Sequence, residues 1–204
     1  LLVNTGNISV NFDSGIGIYA TTSNGAVQNI NNSGNITLAD STSQSKVILG
    51  IYGEDGVIID NTGNITTGEN SIALYGKNAG INQNGGVLTM SESALGIYLN
   101  GGTGTVTNTL LNIADNNGVG VYATNSANIN LGSGNNMNIG DITGTQSGNA
   151  SGSYGIVAKN NSTVNNQSNM VLGITSIGIY TENSVINNDG NITAAGGGVD
   201  KKDG

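Results

Sequence analysis

Residues 15–20, GIGIYA, decide the fold, because this hexapeptide recurs along the chain at a nearly constant interval. Six further copies follow: LGIYG (49–53), IALYG (72–76), LGIYL (95–99), VGVYA (119–123), YGIVA (154–158) and IGIYT (177–181). In the sixth of the seven, Val157 stands where the others have tyrosine. A second motif lies between these copies in the forms NTGNIS (4–9), NSGNIT (32–37), NTGNIT (61–66), NGGVLT (84–89), NTLLNI (108–113), NQSNMV (166–171) and NDGNIT (188–193). The full period is about 23 residues, which is typical of a solenoid.

Each repeat contains short segments with the alternation of a β-strand, and helical periodicity of useful length is missing. In the first copy, alternation predicts that Ile16 and Ile18 face inward, whereas Gly17 and Tyr19 face outward. Two more apolar positions per repeat give three inward strands separated by Gly, Asn and Ser corners, which describes one coil of a parallel β-helix. The handedness of parallel crossovers predicts a right-handed helix.

The sequence therefore predicts an all-β fold, a right-handed parallel β-helix of about eight coils with about 23 residues per coil. The repeat segment is expected to span residues 1–195, followed by a Gly-rich, charged tail or linker at residues 196–204. No single coil can bury its own apolar side chains. The decisive expectation is therefore that Ile18, Ile51, Leu74 and Ile97 lie above one another.

The asparagine that opens the second motif has a predicted structural role. Asparagine tolerates left-handed backbone at a corner, and stacked side-chain amides can donate hydrogen bonds from one coil to the next. We therefore expect a structural ladder formed by Asn32, Asn61, Asn84 and Asn108.

The tyrosines predict an aromatic strip on the outer surface, to which Tyr52, Tyr75, Tyr98 and Tyr122 belong. The small residues two positions before them, such as Gly50 in its copy, are expected to line shallow grooves beside it. Flat aromatic faces beside grooves suit sugar rings or an extended peptide. Stacking in register would also stabilise the solenoid by itself. The sequence leaves both interpretations open.

Departures from the period indicate where loops project and where function more often resides. The two largest insertions, residues 38–46 and 139–152, both lie between the asparagine motif and the tyrosine strand. They are therefore expected to project from the same edge of the rod. They are either tolerated loops or binding loops, and the candidate binding residues are Ser41, Ser43, Gln44, Thr145, Gln146 and Asn149.

Composition excludes several classes of function. The chain has neither His nor Cys, which removes catalytic triads and imidazole or thiolate metal sites. Its net charge of −8 argues against a nucleic-acid partner, and no apolar stretch is long enough to insert into a membrane. We expect no enzymatic activity, no cofactor and no metal.

Charged side chains cluster at two places. The best carboxylate cluster is Glu54, Asp55 and Asp60 within one coil; Glu54 and Asp55 flank a corner, where charges are normally solvated, and no arginine accompanies them. Six residues before successive tyrosines stand Lys46 and Glu69, which we expect to pair across adjacent coils.

The repeated GIGIY and N-[TS]-G-N-I-T elements, with abundant Asn and Gly and no Cys, resemble passenger domains of Gram-negative type V autotransporters. The likeness is greatest to large fusobacterial outer-membrane adhesins, and it covers essentially the whole chain up to the Gly196–Gly198 run. It implies an extracellular, surface-displayed adhesin or stalk whose membrane barrel lies elsewhere in the full protein. It also implies a glycan or protein receptor on host cells or other bacteria, and a role in virulence.

The resemblance carries over no receptor-contact residue, because the matching motifs are scaffold. Two alternatives stay open. A polysaccharide-degrading β-helix enzyme would need a carboxylate cluster in one groove, and a purely mechanical spacer would have no ligand of its own.

Overall fold

A computed structural model describes residues 1–22, 28–142 and 152–195 of the chain. Every regular element in these ranges is a β-strand, and every strand pairing is parallel. The described residues include no helix that could cross a membrane. The predicted tail, residues 196–204, lies outside the described residues.

The strands form three faces of a coiled ribbon. The tyrosine face consists of β3 (Ile16–Thr21), β6 (Ile48–Glu54), the first half of β9 (Ser71–Asn84), the first half of β11 (Leu95–Thr107), β13 (Val119–Thr124), β16 (Tyr154–Lys159) and β19 (Ile177–Glu182). The asparagine face consists of β1 (Leu2–Asn4), β4 (Asn29–Asn32), β7 (Ile58–Asn61), the second halves of β9 and β11, β14 (Asn128–Leu131), β17 (Thr163–Asn166) and β20 (Val185–Asn188). The third face consists of β2 (Ile8–Val10), β5 (Ile36–Leu38), β8 (Ile65–Thr66), β10 (Val87–Met90), β12 (Leu110–Ile113), β15 (Asn136–Ile139), β18 (Asn169–Leu172) and β21 (Ile192–Ala194).

The strands of each face stack in sequence order, which confirms the predicted parallel β-helix. The third face contains eight strands, so that the chain completes about 7 turns of about 24 residues each. Strands β9 and β11 run unbroken from the tyrosine face to the asparagine face and so join the two faces at the middle of the rod. The backbone of these two strands therefore fixes the position of the tyrosine face relative to the asparagine face.

The core lies inside the coil as columns of aliphatic side chains. Ile18, Ile51, Leu74 and Ile97 are paired in consecutive layers and all are buried, as predicted. The column Ile8, Ile36, Ile65, Leu88 forms in the same way on the third face. Burying one such side chain contributes about 1.5–3 kcal/mol. A coil gains this free energy of burial only when another coil covers its side chains, so the layers stabilise one another.

The predicted alternation is wrong at two adjacent positions of the first tyrosine strand. Ile16 points outward and is 43% exposed, whereas Gly17 and Ile18 both face the interior. A Cβ added to Gly17 would lie 2.7 Å from the Gly50 carbonyl oxygen and 3.3 Å from a methyl group of Val10. The backbone thus makes an irregular step there, and the small residues predicted to line outer grooves line the core instead. Only a small side chain fits this column, and its largest member is Ala73.

Candidate functional site

The irregular step directs two residues of each tyrosine strand away from the core, three positions apart. One column contains Tyr19, Tyr52, Tyr75, Tyr98, Tyr122, Val157 and Tyr180, and the other contains Ile16, Leu49, Ile72, Leu95, Val119, Tyr154 and Ile177. We call the two columns together the tyrosine strip. Its members are exposed in the end layers and mostly half-buried between them, whereas Ile72, Val119 and Val157 are buried. Exposed apolar bands of this kind commonly mark binding surfaces.

The aliphatic half of the strip was missed in the sequence, because strict alternation assigned Ile16 to the core. A signal was present, since an aliphatic residue precedes almost every tyrosine by three positions. That spacing joins opposite faces of a regular strand, and only the irregular step brings both residues to the same side.

The predicted aromatic column forms, and its rings are ordered by the coil spacing. Tyr52, Tyr75 and Tyr98 stack with ring centroids 4.8 Å apart and interplanar angles of 13° and 6°. Tyr98 and Tyr122 meet edge to face at 5.2 Å. Aromatic pairs of this kind contribute about 0.5–1.5 kcal/mol each beyond the area they bury. The column therefore stabilises the rod whether or not it binds anything.

Charged groups border the strip on the side away from the aliphatic column. The Tyr52 and Tyr19 hydroxyls donate hydrogen bonds to the Glu54 carboxylate, and the Lys77 ammonium lies 3.4 Å from it. These bonds, with that from Tyr52 the largest contribution, hold the pKa of Glu54 below its ordinary value. Burial and the Glu54 hydrogen bond raise the pKa of Tyr52. Glu54 is thus a fixed anion that orients the first two rings of the column.

The tyrosine column is interrupted at Val157. The side chains around this position leave a notch of about 320 Å³, which is lined by Val119, Tyr122, Tyr154, Val157, Lys159 and Tyr180. The Lys159 ammonium lies 5.3 Å from the centroid of the Tyr180 ring and 2.9 Å from the Glu182 carboxylate. The Glu182 partner raises the pKa of Lys159, and Lys159 lowers the pKa of Glu182, so both are charged near neutral pH. The notch therefore combines aromatic walls with one cationic donor, Lys159, whose carboxylate partner is Glu182 of the next strand.

The first insertion, residues 38–46, lies beside the aliphatic column of the strip, near Ile72 and Leu95. Gln44 is exposed and lines a groove of about 200 Å³ together with Val47, Asn70, Ser71, Ile72, Ser93 and Leu95. Ser43 is half-buried, and its hydroxyl lies 2.9 Å from that of Ser45. Ser41 is buried, and its hydroxyl donates a hydrogen bond to the Lys46 carbonyl across the loop.

Asp13 anchors this loop from the neighbouring coil. The Thr42 hydroxyl and backbone N–H donate to its carboxylate at 2.6 and 2.9 Å, and the Lys46 ammonium lies 3.3 Å away. The hydrogen bonds from Thr42 lower the pKa of Asp13 to about 2. The ion pair expected between Lys46 and Glu69 is therefore replaced by one between Lys46 and Asp13. The binding-loop residues predicted in the second insertion, Thr145, Gln146 and Asn149, lie outside the described residues.

The structural ladder forms with different members from those predicted. Side-chain amides connect Asn4, Asn32, Asn61 and Gln83 through hydrogen bonds of 2.6 Å. Asn32 and Asn61 thus belong to the ladder. Asn84 is exposed, and Asn108 occupies a corner with φ of 53°.

The wrong assignment of Asn84 comes from one extra residue in the corner that follows Gln83. Gln83, rather than Asn84, pairs with Asn61, although Leu88 still pairs with Ile65. The corner after Gln83 therefore holds one residue more than the corner after Asn61. Because strand side chains alternate with a period of two, this slip turns Asn84 away from the ladder. In the next two layers Val106 and Leu131 occupy the position, and the amide ladder resumes between Asn166 and Asn188 at 2.7 Å.

The carboxylates do not converge on a common point. Glu54 is bound by the two tyrosines, Asp60 accepts a hydrogen bond of 2.8 Å from Asn82, and Asp55 occupies a corner with φ of 54°. Within residues 1–22, 28–142 and 152–195, no three His, Cys, Asp or Glu side chains cluster so as to hold a metal ion.

The fold and the surface define a class: a parallel β-solenoid with an aromatic and aliphatic strip along one side. Comparison with family models, curated proteins and solved structures finds no match to the chain.

Proposed function

We propose that this chain is a non-enzymatic attachment segment, the rod of a surface-displayed adhesin that holds its receptor along the tyrosine strip. The observation that carries the proposal is the strip itself. Seven layers each contain one aromatic or aliphatic residue in each of two adjacent columns, from Ile16 and Tyr19 to Ile177 and Tyr180, and most of these side chains are exposed or half-buried. Tyrosine is a frequent anchor in interfaces because it combines a large apolar face with a polar hydroxyl.

The rod geometry suits repeated weak contacts. Eight layers at a spacing of about 4.8 Å give a length of roughly 34 Å between the first and last strands of a face. Equivalent residues recur at every layer, so an extended glycan or peptide can make the same contact several times. Several weak contacts held on one stiff support give a total affinity that none of them has alone.

The display of this rod on a bacterial outer membrane, as a passenger exported through a barrel elsewhere in the full protein, is part of the same proposal. It rests on the resemblance of the repeated motifs to autotransporter passengers. Labelling intact cells with an antibody raised against residues 1–195 tests it. Labelling only after the cells are permeabilised would refute surface display.

The attachment function is tested with the purified chain immobilised on beads and offered to host cells and to partner bacteria. The strip variant Tyr75→Thr/Leu95→Thr removes one aromatic and one aliphatic anchor, and threonine keeps the preference for a strand. We expect attachment to fall by about tenfold or more. The matched control, Thr103→Ala/Thr105→Ala, changes two exposed residues on the asparagine face of the same strand β11 and is expected to attach like the wild type.

Each alternative function predicts a different result, either in the bead assay or in an assay for polysaccharide cleavage. Wild-type beads that do not attach to any cell would favour a mechanical spacer. Release of reducing ends from polysaccharides incubated with the chain would favour an enzyme. Equal attachment by the strip variant and the control would refute the strip as the binding surface.

A further inference from the structure

The interruption of the tyrosine column at Val157 leaves a space with the thickness of one ring. Successive rings in the regular part of the column are 4.8 Å apart. Tyr122 and Tyr180 are two layers apart, since both flank Val157 in the strand register. The two ring positions are therefore separated by roughly 9.6 Å, twice the ring spacing of the regular column.

The base and one end of the space are apolar. Val157 is only 5% exposed, so its side chain forms the floor rather than filling the missing ring position. Tyr154 takes the place that aliphatic residues hold in the neighbouring layers and meets Tyr180 edge to face, with centroids 6.1 Å apart. Three tyrosines thus surround a position that lacks its own ring.

The other end of the space is polar, because Lys159 lines it and Glu182 pairs with Lys159 from the next strand. Lys159 and Glu182 form an ion pair at 2.9 Å, and their side chains are 32% and 50% exposed. The Tyr180 hydroxyl also donates to Glu182 at 3.4 Å. Ammonium and carboxylate side by side offer a donor and an acceptor at the spacing of two adjacent hydroxyl groups.

We propose that this notch is a saccharide-binding site that takes one neutral hexopyranose ring of a glycan. This inference rests on the proposed attachment function and names its ligand class. The apolar C–H face of the sugar packs against the Tyr122 and Tyr154 rings, because the Lys159 ammonium already lies over the Tyr180 ring, and a sugar hydroxyl accepts a hydrogen bond from Lys159. A small pocket with mostly apolar walls and a few convergent polar groups is the usual form of such a site.

Other ligands fit the notch less well. A quaternary ammonium would use the aromatic walls, but the Lys159 cation already lies over Tyr180 and repels it. A purely apolar side chain of a peptide would leave the ion pair without the hydrogen bonds that it makes to water. A neutral polyol with one apolar face satisfies both ends of the notch.

The direct test is titration of the purified chain with methyl β-galactoside, methyl β-glucoside and methyl α-mannoside, monitored by ligand-detected and amide NMR. We expect at least one glycoside to bind with a Kd of about a millimolar, as is usual for a single small contact surface, and to shift the signals of Tyr122, Lys159 and Tyr180. Absence of binding by all three glycosides would overturn the proposal.

The decisive variant is Val157→Tyr, which restores the ring that the other layers have. It continues the tyrosine stack, so the fold is retained, and it is expected to weaken glycoside binding by about tenfold or more. Thr103→Ala, at an exposed position of the asparagine face outside the strip, is the matched control and is expected to bind like the wild type. Unchanged binding by the Val157→Tyr variant would also overturn the proposal.

The bead assay separates this inference from the attachment function itself. If Val157→Tyr attaches to cells like the wild type while Tyr75→Thr/Leu95→Thr does not, the attachment function stands and the notch is not its saccharide site. If both variants attach like the wild type, the strip is not the binding surface. Loss of glycoside binding and of attachment together in Val157→Tyr supports both.

Discussion

Replacing Asn61 with alanine is expected to lower the free energy of unfolding by about 3 kcal/mol, because three hydrogen bonds are lost at a buried site. The Asn61 amide nitrogen donates to the Gln83 side chain at 2.6 Å and to the Gly63 carbonyl at 2.9 Å. Its oxygen accepts the Asn32 amide at 2.6 Å. Asn61 is 1% exposed, so water cannot replace it. Each bond contributes about 1 kcal/mol, and partners left unsatisfied add to the cost.

Asn84→Ala is the matched control, because Asn84 opens the same sequence motif one period later. Asn84 is exposed, and its side-chain oxygen accepts a hydrogen bond from the Thr107 hydroxyl at 2.9 Å. Its loss is expected to cost less than about 0.5 kcal/mol, as is usual for an exposed position. The pair of variants thus separates the ladder in the structure from the one predicted by motif alignment.

The assay is urea denaturation of both variants and the wild type, followed by far-ultraviolet circular dichroism. A change in midpoint at constant slope measures the change in stability. The reasoning is refuted if Asn84→Ala costs as much as Asn61→Ala, or if Asn61→Ala costs less than about 1 kcal/mol.

Three further outcomes are expected. Gly120→Ala places a Cβ 2.8 Å from the Gly155 carbonyl oxygen and is expected to destabilise the rod by about 1–3 kcal/mol in the same denaturation assay; wild-type stability would contradict the inward direction of this column. Ile97→Ala, at a core position only 1% exposed, is expected to cost about 2–5 kcal/mol, with less than 1 kcal/mol contradicting the stacked core. Carboxyl NMR is expected to give Asp13 a pKa of about 2, below the ordinary 3.8, and Thr42→Val should return it toward that value. Because the folded pKa is the lower one, the stability contributed by Asp13 is complete above about pH 4 and is lost as the pH falls through about 2; a pKa unchanged by Thr42→Val would contradict the anchoring of the loop.

Much of the fold follows from periodicity alone. Aliphatic residues that recur about every 23 positions can be buried only by stacking one coil on another, and this requirement places Ile18, Ile51 and Leu74 above one another without further information. The tyrosine column follows for the same reason, because residues in register on parallel strands are direct neighbours.

The strand register after a corner and the direction of individual side chains could not be predicted from the period. A single additional residue in the corner after Gln83 changes which amide enters the ladder, and a motif alignment does not detect it. The inward turn at Gly17 depends on the carbonyl of Gly50 in the next coil, a contact between residues 33 positions apart.

The sequence by itself determined that the chain is a β-solenoid and which aliphatic columns form most of its core, because burial has a period that can be counted. Only the tertiary structure decided what the outer surface carries. It brought Ile16 out beside Tyr19, turned Asn84 away from the ladder, and opened a notch above Val157 between rings from two other coils. These features depend on single-residue steps of the backbone and on neighbours one coil away, and such steps leave the overall period unchanged.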